Sequence, residues 1–302
     1  MTESSKITSL ANLIGQNITD GCHIYLEGIL ANRLPMAAIH EIIRAQAKKL
    51  RIVSAPNSIG VDQLIGAGLI SELEFYFLGV MTKNGFSTMR RFREAAESGM
   101  IDVKESMGYA ICMALRAGAY GIPFIPLPDF RGSDLLSSRE DYHILPSPYN
   151  STETVITVPA LCPDILLLHA HKADTKGNVV LDEPWTAFTL TTAQACKRVL
   201  VTVEEIVEPD TLNPKHITIP HFLVDAIAHV PYGAAPTALN QKYEIDMTHF
   251  AYYQDMAQTK EQFAQYLQSY VLECSNHAAF LEKVGLPPPW KTTSEINSGE
   301  NK

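Results

Sequence analysis

Three clusters of small and polar residues have the composition of ligand-binding loops: 28–35, 54–60 and the Arg-Gly-Ser-Asp turn at 131–134. Glycine lets the backbone approach a ligand closely, while arginine and serine side chains can hold a carboxylate or a phosphate. All three clusters follow predicted strands, which is where open α/β sheets bind their ligands. For the third cluster, spacing alone favours a capped turn slightly over a site, and both interpretations stay open.

Glutamates near strand ends are candidates for acid–base or nucleophilic chemistry. Glu105 precedes a predicted helix whose dipole would favour its ionised form, so catalysis and this electrostatic role explain it equally well. Glu204 and Glu205 follow a buried strand, and a crevice carboxylate, a helix cap and an intersubunit contact all fit them. Glu41 lies one helical turn before Arg44 and is expected to form a local ion pair.

His169 and His171 occupy alternate positions of a predicted strand, so their imidazoles share one face and could bind a metal. Because no third ligand follows at a suitable spacing, a hydrogen-bonded structural pair is favoured and no metal site is predicted. The sequence also lacks the phosphate-loop, nucleophile-elbow, dinucleotide-binding and zinc-protease signatures. These absences argue against the common NTPase, hydrolase, dinucleotide-binding and zinc-protease functions.

Alternating predicted strands and helices position these residues, and the alternation is typical of a doubly wound, mostly parallel sheet flanked by helices. The predicted strands are 23–26, 51–55, 74–80, 123–127, 164–169 and 198–203. The predicted helices are 36–49, 61–65, 88–98, 107–119, 191–197, 247–254 and 260–273. We therefore expect an α/β fold class for the whole chain.

The predicted domain organisation is a single α/β domain at 1–286 with one long internal excursion. Prolines punctuate the excursion, 126–160, whose length of about 35 residues is too great for a simple connection. The tail at 287–302 begins with three prolines and continues with polar residues. We expect this tail to be disordered or to lie on a partner.

Composition limits the partners of the chain. Its 302 residues, 46% of them hydrophobic, can fill a sizeable core, and the net charge of -9 argues against nucleic-acid binding. The positive cluster Arg90, Arg91 and Arg93 is expected to be a solvated helix face.

No apolar run is long enough for a membrane span, so no membrane association is predicted. Five widely spaced cysteines without a CxxC pair favour a reducing compartment, the cytoplasm.

A set of motifs runs in order along most of the chain. It consists of Asp20-Gly21, Gly28, Asn32-Arg33, Pro35 and Glu41; Leu64-Ile65-Gly66-Ala67-Gly68; Gly118-Ala119-Tyr120-Gly121-Ile122-Pro123-Phe124; Gly132-Ser133-Asp134; the stretch from Pro163-Asp164 to Ala173-Asp174, with Gly177-Asn178; Val201-Thr202-Val203-Glu204-Glu205-Ile206-Val207; Ile219-Pro220 and Phe222-Leu223-Val224-Asp225; and Val230-Pro231-Tyr232-Gly233-Ala234 with Pro236-Thr237. This ordered set, within residues 6–285, resembles the first, or alpha, of the two subunits of the glutaconate-type family I CoA-transferases.

The resemblance implies a doubly wound α/β protein that pairs with a related second subunit, often as a heterotetramer, with the active site at the interface. A glutamate of the second subunit would attack the CoA thioester, giving a mixed anhydride and then a glutamyl-CoA thioester, while backbone amides stabilise the oxyanions. An acyl-CoA and a carboxylic acid would be the substrates, and coenzyme A a substrate moiety rather than a cofactor. This chain would supply substrate walls and hydrogen-bond donors from Gly28, Asn32, Arg33, Ser54, Ala55, Asn57, Arg131, Gly132, Ser133 and Asp134.

The chain also resembles a divergent branch of that family, the ring-opening hydrolases that act on CoA thioesters in bacterial steroid breakdown. In that branch the second subunit lacks the nucleophile, and a glutamate of the first, before the helix that leads to Gly-x-Pro-Phe, activates water. Glu105 is the matching position here, so hydrolysis is the second interpretation. A third is a non-catalytic protein that retains the fold and binds acyl-CoA. The acyl group and the acceptor acid are not specified by the sequence.

Overall fold

Strands and helices alternate in the computed structural model, which describes residues 5–82, 85–128, 130–182, 188–209 and 211–286. The strands are β1 (Ile7–Thr8), β2 (His23–Leu26), β3 (Leu50–Ser54), β4 (Ile70–Phe75), β5 (Gly79–Thr82), β6 (Gly85–Thr88), β7 (Asp102–Glu105), β8 (Phe124–Leu127), β9 (His143–Pro146), β10 (Thr154–Pro159), β11 (Ile165–Asp174), β12 (Val179–Val180), β13 (Arg198–Val207) and β14 (Ala226–His229). The helices are α1 (Leu10–Gly15), α2 (Met36–Ala45), α3 (Ile59–Gly66), α4 (Arg90–Glu97), α5 (Gly108–Tyr120), α6 (Leu135–Ser138), α7 (Thr189–Ala195), α8 (Met247–Met256), α9 (Lys260–Leu267) and α10 (His277–Lys283). The predicted tail at 287–302 lies outside the described residues.

A mostly parallel sheet, nine-stranded within the described residues, forms the centre of the fold. Its order is β1-β14-β13-β11-β2-β3-β4-β7, with the short β12 antiparallel to β11. From β2 the chain builds outward through β3 and β4 to β7, then returns to β11 and builds outward through β13 to β14. The direction of winding reverses between β2 and β11, and doubly wound sheets bind ligands at such a switch point. The predicted α/β fold class is confirmed.

Helices cover both faces of this sheet. One face packs against α2, α3 and the C-terminal helices α8 and α9, which bury Ile39, Leu64, Phe250 and Tyr266. The other face packs against α5 and α7 through residues such as Ile111. The central strand β11 is almost entirely buried, as its continuous apolar run predicts for a strand covered on both sides.

Several predicted boundaries differ from the structure for local reasons. The helix predicted at 36–49 ends at Ala45, because Gln46 adopts the left-handed conformation that stops it. The strand predicted at 74–80 is divided between β4 and the hairpin β5–β6. Strand β7 was not predicted, because an Asp-Val-Lys-Glu segment on an exposed sheet edge carries no apolar pattern.

The positive cluster on α4 is only partly solvated, which corrects the prediction for Arg91. Its side chain is buried, forms an ion pair with Glu94 at 2.8 Å and lies over the ring of Phe263. Position 91 faces the core side of the helix, so its charge is compensated by a partner rather than by water.

The long excursion forms a small sheet of its own. Strands β8, β10 and β9 pair antiparallel in that order, and helix α6 lies between β8 and β9 in the chain. Ala110 and Ala114 of α5 pack with Leu127, Tyr142 and Val158 of the excursion. The excursion is therefore a layer added to the α5 side of the main sheet. None of the helices that the structure describes combines the length and apolar composition needed to cross a bilayer.

Candidate functional site

The loop 28–35 follows β2 at the switch point and is bound to the second predicted loop. Leu30 donates its backbone N–H to Pro56 O at 2.7 Å, and Ser58 Oγ donates to Leu30 O at 2.6 Å. Strands β2 and β3 are parallel neighbours, so both loops leave the same edge of the sheet. The structure therefore brings the predicted residues of the first two clusters together.

Backbone geometry makes the start of loop 28–35 unusually tight. Gly28 has a φ of +133°, and a Cβ at this position would lie 2.5 Å from Leu34 Cδ2 and 3.0 Å from Arg33 O. Leu30 and Arg33 also have positive φ angles, 55° and 61°. The loop folds back over its own beginning, and a side chain does not fit at its first position.

We expect Gly28→Ala to destabilise the protein by about 1–3 kcal/mol, because the new methyl group overlaps Leu34 and alanine disfavours this backbone conformation. Gly132→Ala is the matched control, since a Cβ at position 132 meets no heavy atom within 4 Å. Urea unfolding of both variants measures the difference. Equal midpoints for the two variants would contradict the expectation.

Asn57 is fully buried and joins three segments at this edge. Its Oδ1 accepts hydrogen bonds from Ser58 N at 2.8 Å and Val61 N at 3.2 Å, and so caps the first turn of α3. Its backbone N–H donates to Phe77 O, and its carbonyl accepts from Gly79 N, both at 3.1 Å. Asn57 thus fixes the loop after β3 to the chain that follows β4.

Three other predicted residues also hold the loops in place within this chain. Asn32 Oδ1 accepts from Asn240 N at 3.1 Å, which links loop 28–35 to a loop that follows β14. Ser54 is buried and its Oγ donates to Ala55 O at 2.8 Å. These contacts shape the edge of the sheet.

A buried charge cluster lies directly beneath loop 28–35. Glu27 is 6% exposed and its Oε1 accepts from Arg33 Nη1 at 2.9 Å and from the hydroxyl of Thr189, at the start of α7. A buried carboxylate requires such compensation, and removing one partner of a buried ion pair is strongly destabilising. The position of Glu27, next to the loop glycine, was a sequence signal for this cluster, but its partners could not be assigned from the sequence.

Glu204 is the centre of a second buried network, on the neighbouring strand pair β11–β13. Its Oε1 accepts from Tyr243 Oη at 2.7 Å and lies 2.7 Å from His169 Nε2. Its Oε2 accepts from Tyr232 N at 2.8 Å, and Gly233 N donates to Oε1 at 3.2 Å. Burial alone would raise the pKa of Glu204, but the bonds from His169, Tyr243 and Tyr232 outweigh it and lower this pKa.

The Glu204 network supports the first loop from behind. It anchors the segment 231–243, and Ala238 of this segment accepts from Arg33 N at 2.7 Å and donates to Ala31 O at 2.8 Å. Gly233 fits closely here, since a Cβ at 233 would lie 2.5 Å from His169 Cε1. Glu204 lies within β13 rather than after it, so it caps no helix, and the crevice and intersubunit alternatives stay predictions.

His171 of β11 and Glu205 of β13 also have partners within the chain. His171 Nε2 lies 2.9 Å from Asn240 O, and its Nδ1 accepts from Asp182 N at 3.1 Å. Both histidines of the predicted pair are therefore hydrogen-bonded within the chain. Within the ranges that the structure describes, no group of His, Cys, Asp or Glu side chains is arranged to hold a metal ion. Glu205 faces outward, 3.5 Å from Lys172 Nζ.

Glu105 is the last residue of strand β7, and helix α5 begins at Gly108, so Glu105 precedes a helix as predicted. Its side chain is exposed, and its backbone is in register with Phe75 of β4. The carboxyl ends of β7 and β2 lie at the same end of the parallel sheet. Strands β3 and β4 lie between them, which gives a lateral separation of roughly 14 Å. Glu105 is therefore an accessible carboxylate at the far end of the same edge.

The third predicted cluster, 131–134, lies in the excursion and is exposed. Arg131 Nη1 donates to Thr154 Oγ1 at 2.9 Å, and Ser133 Oγ accepts from Leu135 N at 3.3 Å. Asp134 occupies the position before α6. With Gly132 between them, these residues form a turn at the surface of the excursion, in which the Asp134 side chain makes no capping hydrogen bond to α6.

Glu41 and Arg44 form the predicted local pair, with 2.7 Å between Oε2 and Nη2. The same guanidinium donates to the carbonyls of Val271 and Cys274. Glu41 therefore helps to fix the C-terminal segment on α2.

Comparison with known proteins adds a family match to this geometry. The family model described as coenzyme A transferase matches residues 7–229. The chain is 31% identical to a protein named as a subunit of 3-oxoadipate CoA-transferase, from Pseudomonas knackmussii, over 93% of this chain and 98% of that one. It is 25% identical to a subunit of a cholesterol ring-cleaving hydrolase from Rhodococcus jostii, over 90% of this chain and 93% of that one.

A solved structure shows the same fold. The crystal structure of glutaconate coenzyme A-transferase from Acidaminococcus fermentans superimposes with a TM-score of 0.86 at 27% identity, covering 93% of each chain. This coverage is broad enough to include the sheet, its helical layers and the segments that form the candidate site.

Proposed function

This chain belongs to the coenzyme A transferase family, and from that premise we propose that it is the first subunit of a two-subunit enzyme that moves coenzyme A between an acyl-CoA and a carboxylic acid. The observation that carries the proposal is the similarity, over 93% of the chain, to a protein named as a subunit of such an enzyme. The interlocked loops 28–35 and 54–60 at the switch point support it, because they form a preorganised wall rather than a self-contained catalytic centre.

The proposed reaction divides the work between two chains. A glutamate carboxylate of the second subunit attacks the thioester carbonyl, the CoA thiolate leaves, and an acyl-glutamyl anhydride forms. The thiolate then attacks the glutamyl carbonyl of that anhydride, which releases the carboxylate of the first acid and leaves a glutamyl-CoA thioester. The acceptor acid repeats these steps in reverse. Backbone N–H groups stabilise the developing oxyanions.

In this scheme the present chain shapes the acyl pocket and excludes water from the anhydride. The acceptor classes that fit the proposal are five-carbon dicarboxylates and 3-oxoacids. Coenzyme A enters as part of a substrate, and the proposed scheme needs no further cofactor. A cytoplasmic site of action is part of the proposal, and the free state of all five cysteines supports it.

Co-expression with the related second-subunit chain of the same genome tests the proposal. The purified complex is expected to exchange CoA between an acyl-CoA and a free acid, and this chain alone is expected to show no exchange. Adding acyl-CoA and then hydroxylamine should convert a glutamate of the second chain, not of this one, to a hydroxamate detectable by mass spectrometry. An intact complex that binds acyl-CoA without exchange or hydrolysis would instead indicate a binding protein.

Hydrolysis of a CoA thioester is the second candidate, and the exposed carboxylate of Glu105 at the carboxyl edge favours it. Under the transfer proposal, Glu105→Gln is expected to change exchange by less than about threefold, because the nucleophile belongs to the second chain. Under the hydrolase alternative, the same variant is expected to lose about 10²–10⁴-fold in thioester hydrolysis without an acceptor acid. Asp102→Asn, on the same strand and also exposed, is the matched control.

A further inference from the structure

Arg139 connects the excursion to the carboxyl end of the edge strand β7. The side chain is almost fully buried, at 5% exposure. Its Nε and Nη2 donate to the two oxygens of Asp141 at 2.8 and 2.9 Å, and its Nη1 donates to Glu74 Oε1 at 2.9 Å. The same Nη1 also donates to the backbone carbonyl of Glu105 at 3.2 Å. One guanidinium thus binds two carboxylates and the last residue of β7.

A second set of contacts connects the excursion to Ser106, the residue after Glu105. The Arg139 guanidinium lies 4.2 Å from the ring centre of Tyr142, and Tyr142 Oη is 2.6 Å from Ser106 Oγ. Ser106 and Tyr142 are both buried. Two successive residues at the end of β7, Glu105 and Ser106, are therefore bound to the same segment of the excursion.

The position of β7 explains why this end of the strand needs external support. Among the described strands, β7 pairs with β4 on one side and lies at the edge of the sheet on the other. An edge strand leaves backbone groups without ladder partners, and Arg139 supplies the donor for Glu105 O. Because the backbone is fixed on this side, the exposed carboxylate of Glu105 and the start of α5 keep a defined place at the carboxyl edge.

We infer that Arg139 is a positioning residue: it locks the excursion onto the 105–107 segment and so keeps the far wall of the acyl-CoA crevice in its productive place. The inference rests on the proposed function for the location of the crevice. A guanidinium is suited to this role, because a rigid fork of donors can satisfy a carboxylate bidentately and a carbonyl at the same time. Lysine, with one point charge, cannot reproduce these contacts.

The test uses the complex with the second-subunit chain and the variants Arg139→Ala, Arg139→Lys and Glu140→Gln. In Arg139→Ala, kcat for CoA exchange is expected to fall about 10–100-fold with less than about threefold change in KM, since small displacements of a positioning group reduce the rate more than binding. Free guanidinium, at a concentration too low to denature the wild type, should restore at least half of the loss. Arg139→Lys should remain impaired, and the exposed neighbour Glu140→Gln should behave as wild type.

Amide hydrogen exchange gives a readout that does not depend on activity. Arg139→Ala is expected to accelerate exchange at 102–107 and 139–146 while the other strands of the main sheet stay protected. The inference would be overturned if the kinetics of CoA exchange in Arg139→Ala were unchanged. It would also be overturned if amide hydrogen exchange rose through the whole protein and guanidinium did not restore the activity. If the wild-type complex shows no CoA exchange, the proposed function fails, and local acceleration at 102–107 still decides whether Arg139 positions that segment.

Discussion

Lowering the pH from 7 to 5 is expected to destabilise the protein, because buried neutral histidines hold its C-terminal helices on α2 and the sheet. Burial lowers the pKa of His249 and of His277 to about 4, and it lowers the pKa of His40 well below the usual value. In the unfolded chain a histidine has a pKa of about 6.5. The unfolded state therefore binds protons first, so stability that is fully present above pH 6.5 is lost as the pH falls towards 4.

The expected loss is large relative to the stability of an ordinary domain. At pH 5, His249 and His277 each lower the free energy of unfolding by about 2 kcal/mol relative to pH 7. The whole free energy of unfolding of a typical domain is about 5–15 kcal/mol. Asp62 opposes them, because burial raises its pKa to about 6 and the folded state then binds a proton first. This carboxyl adds only about 1 kcal/mol of stability between pH 7 and pH 5, so these three groups together give a loss of about 3 kcal/mol. His40 adds to this loss, as does His23, because burial lowers the pKa of His23 to about 4.

Thermal unfolding followed by circular dichroism between pH 7.5 and pH 5 measures this effect. His249 lies 2.9 Å from Tyr266 Oη, and His249→Gln keeps a polar group for that contact but cannot titrate. The variant is expected to remove about 2 kcal/mol of the acid-induced loss. His216→Gln is the control, because His216 is exposed on a turn. A melting temperature that stays constant over this pH range would refute the role of the buried histidines.

Replacing Glu204 with alanine is expected to cost about 3–5 kcal/mol and to abolish exchange activity in the complex. The substitution leaves His169, Tyr243 and the N–H groups of Tyr232 and Gly233 buried without their acceptor. It also releases the segment 231–243 that supports loop 28–35. The pKa of Glu204 is lowered in the folded state, so its contribution is lost only as the pH falls through that lowered pKa, below the histidine range.

The adjacent residue provides a matched control for this prediction. Glu205→Ala removes the same carboxylate, but its side chain is 47% exposed and lies 3.5 Å from Lys172 Nζ and 3.9 Å from Lys242 Nζ. Exposed ion pairs contribute about 0–1 kcal/mol, so the variant should remain within that margin of wild type. Urea unfolding at pH 7 compares the two. If both variants unfold at the same urea concentration, Glu204 is not the anchor of the segment.

The pattern of apolar residues was sufficient to predict the buried strands and helices. The strands near 23–26 and 198–203 have continuous apolar runs, and α2 has a marked apolar face, so their existence followed from periodicity. Strand β7 was missed because its stability comes from pairing with β4 and from the excursion, which a polar tetrapeptide does not reveal. Tertiary contacts determined that strand.

The candidate site also has a part that the sequence predicted and a part that depends on tertiary contacts. Small residues after a strand indicated the loops 28–35 and 54–60, because glycine and hydroxyl side chains at strand ends have a physical reason to be there. The roles of Glu27 and Glu204 depend on partners such as Thr189 and Tyr243 that are distant in the chain, so only the folded structure assigns them. The turn 131–134 is exposed on the excursion, and its part in substrate binding stays a prediction.

Strand β1, at the opposite side of the main sheet from β7, also constrains how the chain can fold during its synthesis. Ile7 and Thr8 pair with Ile227 and Ala228, so the first described strand takes its place beside the last strand of the sheet. While the polypeptide emerges from the ribosome, that early segment has no docking position until residue 228 has left the exit tunnel. Nascent chains are therefore expected to carry this segment unpaired for most of translation, and a premature stop before β14 would leave it permanently without a neighbouring strand.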